Sequence, residues 1–382
     1  MSYLIRTPLF SYLAGYFNDS SGFRESRITS MNKAAARELE SCLREDMPLV
    51  RDLEIKGHDT RNITLGGSFD ELQPFHVQIE VTDNCNLFCD YCYRDSNYKD
   101  PNSKYIDFRV IRDFLLRERE RSLLEVGVTG GEPTMHPNFQ NIMEIILENF
   151  ELCELVTNGT NYRQVLEAVN HAGENARKLN LSVSFNRWER DFDLFKQGNH
   201  YLNGFLQNVA GEHPVRMILT DATYDAEKAR EAEKKLRDVG VKEIDFSFVS
   251  PIGRGKSKMD ELGHLSIFPG ADEQEGAFTP TPLNCGLVFK HTVIGPDGNL
   301  RPCALFPLTY STGTMDELSS KKNRTLWTLP SPSEEICSPC DYEKYCRGCI
   351  YKGLFNSNRD CSYRKFIGEK YGSDFLPHVS GK

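Results

Sequence analysis

Residues 85–92 have the sequence CNLFCDYC, which places Cys85, Cys89 and Cys92 in a C-x3-C-x2-C spacing. They follow an alternating apolar run over residues 75–81 that predicts a β-strand. A zinc site usually offers four nitrogen or sulfur ligands in two pairs, and a [4Fe–4S] cluster normally takes four thiolates. Three close thiolates with no nearby fourth can hold three irons and leave the fourth iron open to a substrate. A partial zinc site and a chance grouping are the alternatives.

Composition limits the class of protein. The chain has 382 residues, of which 39% are hydrophobic and 26% charged, as in an ordinary globular protein of more than one domain. The net charge of −9 disfavours nucleic-acid binding. No apolar run approaches the ~18 residues that span a bilayer, and the N-terminal residues lack a signal-peptide pattern. We therefore expect a cytoplasmic protein that binds neither nucleic acid nor membrane, and its twelve cysteines are not expected to form a disulfide framework.

Strand and helix patterns alternate from residue 73 to about 255. Six such βα units imply an α/β fold with a parallel sheet and helices outside it. Six strands are too few for a closed eight-stranded barrel, so we expect a partial (β/α)6 TIM-like barrel with its active site at the carboxyl ends of the strands. The predicted strands are 77–81, 123–128, 152–156, 181–185, 215–219 and 244–249, and the predicted helices are 108–121, 139–149, 162–179, 190–210 and 226–239.

Three regions differ in pattern, which predicts three domains. Residues 1–72 form a short α+β leader with two apolar stretches and a helix from about residue 32 to 44. Residues 73–260 form the partial barrel. Residues 261–382 are rich in Gly, Pro, Ser and closely spaced cysteines, which indicates a small domain organised by metal rather than by an apolar core.

Polar and glycine residues follow the predicted strands. The second strand ends in VTGGEP, which contains Gly130, Gly131, Glu132 and Pro133. Glycines let backbone approach a ligand closely, and a carboxylate accepts hydrogen bonds from an ammonium group. An ordinary strand-to-helix turn is the alternative explanation. The third strand ends in VTNG and the fourth in SVSFN.

The cysteine triplet and the GGEP element together resemble the radical S-adenosylmethionine (SAM) superfamily. The resemblance implies a [4Fe–4S] cluster on the three cysteines, with SAM bound at its open iron. It also implies that reductive cleavage of SAM gives a 5′-deoxyadenosyl radical, which abstracts hydrogen from an unactivated C–H bond. The GGEP element would cradle the SAM amino group. The implied SAM contacts are Tyr91, Gly130, Gly131, Glu132, Pro133, Ser184, Asn186 and Lys196.

Some positions depart from the family pattern. The usual S-L-D-G is replaced by Ser184, Phe185, Asn186 and Arg187, which weakens the ribose assignment. Lys196 stands where relatives often carry an arginine for the SAM carboxylate, and a solvated lysine is the alternative. The role of Arg216 is left open. The sequence PIGRGKS, residues 251–257, resembles a Pro-x-Gly-Arg turn of peptide-modifying relatives or is a basic surface loop.

Seven cysteines near the C-terminus resemble the SPASM domain, which binds auxiliary iron–sulfur clusters in radical SAM enzymes. The resemblance implies two auxiliary [4Fe–4S] clusters, and a zinc knuckle is the alternative. His291 stands where relatives carry an extra ligand to the second cluster, so this histidine, the substrate or another group would complete it. A histidine that is only packed on the hairpin is the favoured alternative. One cluster would be held by Cys337, Cys340, Cys346 and Cys361, and the other by Cys285, Cys303 and Cys349.

Two enzyme classes fit this architecture. The first is a maturase of a ribosomally made precursor peptide, which forms a cross-link or an oxidised side chain; the leader would resemble a module that pairs a strand with the precursor. The second is a radical dehydrogenase or tailoring enzyme of a small metabolite. An anaerobic sulfatase maturase is disfavoured by Thr129 before GGEP and by Ala304 after Cys303. A flavodoxin- or ferredoxin-type reductant is expected, and the catalytic base is not identified.

Overall fold

The structure is a computed structural model, and the residues it describes cover most of the N-terminal two thirds of the chain and part of the remainder. They are residues 2–7, 11–45, 58, 63–70, 73–98, 102–186, 188–211, 213–221, 226–248, 253–255, 292–306, 311–318, 329, 334–337, 354 and 361–371. The chain divides into two compact units. The first is Met1–Gln274 with Val293–Asn299, and the second is Glu275–Thr292 with Leu300–Lys382.

A parallel sheet forms the centre of the first unit. Its six parallel strands are β5 (His76–Glu80), β8 (Glu125–Thr129), β9 (Leu152–Thr157), β10 (Leu179–Phe185), β11 (Val215–Asp221) and β12 (Glu243–Phe248). Their order follows the sequence, and a short strand β13 (Thr292–Ile294) lies beyond β5. Neighbouring strands pair in parallel, with Val77 opposite Val126 and Leu181 opposite Val215. The predicted α/β partial barrel is therefore confirmed.

The central strands place buried apolar residues at alternate positions, as expected for the face of a parallel sheet that helices cover. Val126 and Val128 on β8, like Leu155 on β9, are completely buried. The helices of this unit after the leader are α2 (Phe108–Arg121), α3 (Phe139–Asn149), α4 (Tyr162–Ala172), α5 (Trp188–Lys196), α6 (Tyr201–Phe205) and α7 (Ala226–Asp238). Asp107 begins α2 because its side chain accepts a 2.8 Å hydrogen bond from the Arg109 amide.

Two predicted helices are shorter than expected, and glycines account for this. The α-helix predicted over 162–179 ends at Ala172, where Gly173 has φ of +52°, and a 3-10 turn then runs from Gly173 to Lys178. The stretch 190–210 is split at Gly198, whose φ is +78°. Positive φ costs glycine little, so the chain can turn there at no steric penalty.

The leader folds as a four-stranded sheet with one described helix. The strands are β1 (Ser2–Arg6), β2 (Ser11–Asn18), β3 (Arg24–Met31) and β4 (Ile63–Gly67), in the order β3-β2-β1-β4, and the helix is α1 (Lys33–Arg44). The side chain of Asn32 caps α1 by accepting from the Ala35 amide at 2.8 Å. Leu4, Ala36 and Leu39 form the apolar contact between sheet and helix.

This leader sheet packs against the amino ends of the barrel strands. The Tyr16 hydroxyl donates to Glu125, the first residue of β8, at 2.9 Å, and the Tyr3 hydroxyl donates to Glu151 just before β9 at 2.6 Å. Arg24 also binds the Glu151 carboxylate, at 3.0 Å. The leader therefore closes the end of the barrel that lies opposite the carboxyl ends of the strands.

The second unit is described only in short segments. They include strand β14 (Leu300–Arg301) and three helices, α8 (Met315–Leu318), α9 (Glu334–Cys337) and α10 (Ser362–Tyr371). Among the described residues of the whole chain, no helix is long and apolar enough to cross a membrane. The predicted domain boundary at 260/261 lies outside the described residues, and the three-domain division stays a prediction.

Candidate active site at the carboxyl ends of the strands

The cysteine loop, residues 85–96, leaves the carboxyl end of β5. Cys85 ends the two-residue strand β6 (Asn84–Cys85), which pairs with β7 (Asn97–Tyr98). The Cys92 amide donates to the Cys89 carbonyl at 3.3 Å, which forms a tight turn between the second and third cysteines. All three cysteines are half-buried and outside any disulfide bond, and the loop presents them at the sheet edge predicted for the active site.

The Cys85 sulfur already receives protein hydrogen bonds. The Leu87 amide lies 3.4 Å from it and the Asn158 side-chain amide 3.8 Å. Burial raises the pKa of the Cys85 thiol, and these two donors oppose that shift. N–H groups directed at sulfur favour the thiolate, the form that binds iron. The residues around Cys85 therefore suit a metal-bound thiolate.

The three thiols are not arranged around a single ion. Within the described ranges, no group of three His, Cys, Asp or Glu side chains is placed to hold one metal ion. A tetrahedral zinc ion needs its sulfur ligands about 2.3 Å from one centre. A [4Fe–4S] cluster distributes its thiolates over different irons, so it does not require them to converge on one point.

The two glycines of GGEP allow close packing of two backbone segments. The Gly131 amide donates to the Thr82 carbonyl at 2.6 Å, and the Glu132 amide donates to the Asn84 carbonyl at 2.8 Å. A Cβ atom on Gly131 would lie 2.1 Å from the Asn84 carbonyl oxygen, so no larger residue fits. The GGEP backbone is therefore hydrogen-bonded to the residues that directly precede Cys85.

The Glu132 carboxylate links two strand ends. Its Oε1 accepts from the hydroxyls of Thr134 at 2.6 Å and Thr157 at 2.7 Å, and its Oε2 accepts from the Asn158 amide at 2.7 Å. The side chain is completely buried. Burial is the largest influence and raises the pKa of Glu132, while these donors act in the opposite direction. A carboxylate has about four lone-pair sites, and Oε2 has one named donor.

Asn158, in the VTNG sequence, joins the third strand end to the cysteine loop. Its side-chain amide donates to the Asn86 side-chain oxygen at 2.8 Å as well as to Cys85. The Thr160 hydroxyl donates to the Asn158 side-chain oxygen at 2.6 Å. Sequence reasoning assigned Asn158 no role, although its position after a strand was a usable signal.

The fourth strand end also reaches the cysteine loop. The Tyr91 hydroxyl lies 3.4 Å from the Asn186 side-chain oxygen, so two of the predicted SAM contacts lie together. Ser184 is half-buried near the end of β10, and Pro133 is buried at the start of a 3-10 turn after β8. Predicted contacts from two strand ends and the cysteine loop therefore share one edge of the sheet.

Lys196 is not brought to these residues. Its ammonium group lies 2.9 Å from Asp193 and 3.1 Å from Glu231, which are on helices α5 and α7. Arg216 likewise binds a carboxylate of the neighbouring strand, Glu243, at 2.5 Å. The contacts of Lys196 correspond to the surface-lysine alternative.

Two further side chains lie near the site and were not predicted. Burial raises the pKa of Tyr201, and electrostatic interactions with Cys89, Asp191, Glu132 and Cys85 act in the same direction. This phenol is therefore within electrostatic reach of the cysteine loop. Arg190, at the start of α5, lies within electrostatic reach of Asp90 and Tyr91.

The second unit contributes three described cysteines. Cys337 and Cys361 are each 5% exposed, and Cys303 is half-buried. Cys337 ends α9 and Cys361 directly precedes α10, and these two helices contact each other. The remaining predicted ligands lie outside the described residues: Cys285, Cys340, Cys346, Cys349 and the alternative ligand His291.

Comparisons with known proteins agree with this site. Residues 79–265 match the model of the radical SAM superfamily. Residues 79–265 therefore form a radical SAM domain, and this family implies a SAM-binding [4Fe–4S] cluster and SAM as cofactors.

Individual relatives extend the match beyond that domain. The antilisterial bacteriocin subtilosin biosynthesis protein AlbA of Bacillus subtilis is 28% identical over 326 residues, which covers 78% of this chain and 71% of AlbA. A GTP 3′,8-cyclase of Alkaliphilus metalliredigens is 23% identical over 259 residues, which covers 60% of this chain and 80% of the cyclase.

The fold is also similar to that of a protein of known structure. The crystal structure of Streptococcus suis SuiB bound to its precursor peptide SuiA has a TM-score of 0.56 and 14% identity, and the match covers 93% of this chain and 96% of SuiB. SuiB bound to S-adenosylmethionine gives a TM-score of 0.50 with 13% identity, and that match covers 95% of this chain and 97% of SuiB. The chain is thus an enzyme with a radical SAM domain, similar in sequence to AlbA and in fold to SuiB.

Proposed function

We propose that this enzyme modifies a ribosomally made precursor peptide by hydrogen abstraction, giving a cross-link or an oxidised side chain. The observation that carries the proposal is the extent of the similarity. The relative named for bacteriocin biosynthesis matches 78% of this chain, whereas the GTP cyclase matches 60%. The similarity to the bacteriocin biosynthesis protein therefore extends over more of the chain outside residues 79–265 than the similarity to the cyclase.

Cys85, Cys89 and Cys92 are the proposed ligands of the SAM-binding cluster. The half-buried thiols and the N–H donors at Cys85 suit iron-bound thiolates. When bound, the cluster and SAM supply the one-electron cleavage and the hydrogen-abstracting radical. The electron would come from a flavodoxin- or ferredoxin-type reductant in the cytoplasm.

The proposed SAM contacts are of two kinds: one residue binds the SAM ammonium group, and the others border or shape the site. Glu132 would accept a hydrogen bond from the SAM ammonium through Oε2, the oxygen with one named protein donor. Tyr91 and Asn186, which lie 3.4 Å apart, would border the nucleoside, with Ser184 on the same strand. Gly130, Gly131 and Pro133 would shape the turn that holds Glu132 in place. Lys196 is left out of the proposal because its ammonium group is bound to helix carboxylates.

The auxiliary clusters are part of the proposal. Cys337 and Cys361, buried at two contacting helices, would share one cluster with Cys340 and Cys346. Cys303 would join Cys285 and Cys349 at the other. Whether these clusters transfer electrons or bind substrate depends on which substrate the enzyme modifies.

The test is anaerobic 5′-deoxyadenosine formation with SAM, reductant and host extract separated by size. We expect stimulation by a peptide-sized fraction that protease treatment abolishes, and a mass change in one peptide. Stimulation by the small-molecule fraction alone would overturn the peptide proposal. That outcome would favour a metabolite-modifying enzyme, the second candidate, which the similarity to GTP 3′,8-cyclase supports.

A further inference from the structure

The turn after the last barrel strand makes several hydrogen bonds to the cysteine loop. The described part of this turn, residues 253–255, follows β12 and lies in the PIGRGKS sequence. The Arg254 side chain donates to the Cys89 carbonyl at 2.8 Å and to the Ser96 carbonyl at 2.7 Å. It also binds the Asp95 carboxylate at 2.7 Å. Arg254 is therefore directed into the fold and is not part of a basic surface loop.

The backbone of the same turn touches the third cysteine. The Arg254 amide donates to the Cys92 carbonyl at 3.0 Å. Gly253 has φ of +57°, and a Cβ atom there would lie 2.5 Å from the carbonyl oxygens of both Cys92 and Tyr93. Only glycine allows this approach. Gly253 and Arg254 therefore both pack against the backbone of the cysteine loop, at Cys92 and Tyr93.

The guanidinium group also covers an aromatic ring of the loop. Its central carbon lies 4.1 Å from the ring centroid of Phe88, the residue before Cys89. Asp95 adopts φ of +55°, a left-handed conformation that is uncommon outside glycine and that aspartate adopts more readily than most residues. Its contact with Arg254 lies at that point. Arg254 thus holds the two ends of the segment between Phe88 and Ser96.

A second arginine also links the cysteine loop to the barrel. Arg94 pairs with the completely buried Glu80 at the end of β5, at 3.0 Å. That contact joins the loop to the first barrel strand, and Arg254 joins it to the last. The loop is thereby connected to both ends of the row of six parallel strands.

Arginine is suited to this task and lysine is not. The planar fork of arginine places several donors in a fixed geometry and stacks on aromatic rings. A lysine could reach one of the three oxygen acceptors but not all of them. Arg254 also places a positive charge beside the loop, and charge, hydrogen bonds and exposure set the potential of an iron–sulfur cluster.

We propose that Arg254 is a positioning residue that sets the conformation of the cysteine loop and the reduction potential of the cluster bound there. The proposal rests on the proposed assignment of Cys85, Cys89 and Cys92 as cluster ligands. Arg254 acts through its contacts with the loop.

The test compares Arg254→Gln and Arg254→Lys with the parent enzyme, and Arg112→Gln is the control. Arg112 is on α2 and binds the exposed Asp113 at 2.8 Å. Two readouts besides activity are used on the full-length holoenzyme: hydrogen exchange of a peptide spanning residues 85–98, and the midpoint potential of the SAM-responsive cluster by EPR titration.

We expect exchange in that peptide to rise roughly tenfold or more in both Arg254 variants, because several hydrogen bonds are lost. The potential should become more negative in Arg254→Gln, and Arg254→Lys should lie between it and the parent. The Arg112→Gln enzyme should match the parent in both. If exchange in Arg254→Lys matches the parent, the guanidinium group is not required to hold the loop. If Arg254→Gln does not fold, the exchange and potential of Arg254→Lys test the proposal.

Failure of this proposal is distinguishable from failure of the cluster assignment. If Cys89→Ala loses the SAM-responsive EPR signal while Arg254→Gln matches the parent in exchange and potential, only the role of Arg254 is wrong. If Cys89→Ala keeps that signal, the cluster assignment itself is wrong.

Discussion

Strand β8 has a buried glutamate near each end, and the two differ in what surrounds them. Glu125 begins the strand and is 7% exposed, and Glu132 follows its carboxyl end and is 0% exposed. Burial is the main influence on both, and it raises the pKa of each carboxyl group. Two carboxylates at opposite ends of one strand are thus similarly isolated from water.

Their partners explain the difference in role. Glu125 accepts from Tyr16, an aromatic residue of the leader sheet that packs under the barrel. Glu132 accepts from short side chains and backbone of the neighbouring strand end, at Thr157 and Asn158. Large side chains therefore close one end of the barrel, and glycines and small polar residues shape the other. Barrel enzymes commonly separate stability and chemistry in this way.

The largest effect is expected at the cysteine loop. Cys89→Ala should reduce 5′-deoxyadenosine formation to the level of an enzyme-free blank, because a cluster with one proposed thiolate missing is not held in place. Liquid chromatography of anaerobic reactions measures this. Cys42→Ala, on helix α1 of the leader, is the matched control and should retain the parent rate. Cleavage at the parent rate by the Cys89 variant would contradict the assignment.

The next effect tests the two ends of β8 directly. Glu132→Gln places an amide N–H against donors from Thr134, Thr157 and Asn158, and leaving a buried donor unpaired costs about 1–3 kcal/mol. We expect a lower melting temperature and a fall of about tenfold or more in SAM cleavage, since a charged hydrogen bond to SAM would also be lost. Glu125→Gln should leave the cleavage rate per folded molecule unchanged. Equal rates in the two variants would contradict the comparison.

A third effect concerns pH. Because burial raises the pKa of folded Glu125 above its unfolded value, protonation favours the folded state. The stability contributed by this group is present below the unfolded pKa, about 4.3, and is lost as pH rises through the folded pKa. The melting temperature of the parent should therefore fall relative to Glu125→Gln as pH rises above that value. Glu132 is present in both proteins, so its contribution cancels. If the difference in melting temperature between the two proteins does not change with pH, the pKa of Glu125 is not raised in the folded state.

The smallest effect is expected at Lys196. Its ion pairs with Asp193 and Glu231 are at the surface, where such pairs contribute about 0–1 kcal/mol. Lys196→Ala should therefore leave the KM for SAM unchanged. Glu231→Gln, which removes one partner and keeps the lysine, is the control. A clear rise in KM for the lysine variant alone would return Lys196 to the SAM site.

Regular elements were predictable because each has its own periodic pattern. The six parallel strands lie within two residues of their predicted bounds, and helices 108–121 and 139–149 match theirs. The strand β3 was missed because its sequence, RESRITSM, has no strong apolar alternation and is paired on one side only. Its strand conformation depends on pairing with β2, which is a tertiary contact.

The sequence by itself determined the class of the enzyme, because cysteine spacing and the GGEP element are local and chemically specific. It also placed the candidate ligands at strand ends, since a βα repeat fixes which end of the sheet carries them. Only the tertiary structure decided which side chains meet. Asn158 reaches Cys85 across 73 residues of chain and Arg254 reaches Cys89 across 165, whereas Lys196 pairs with helix carboxylates. Such contacts depend on how distant segments pack, and no local pattern records that.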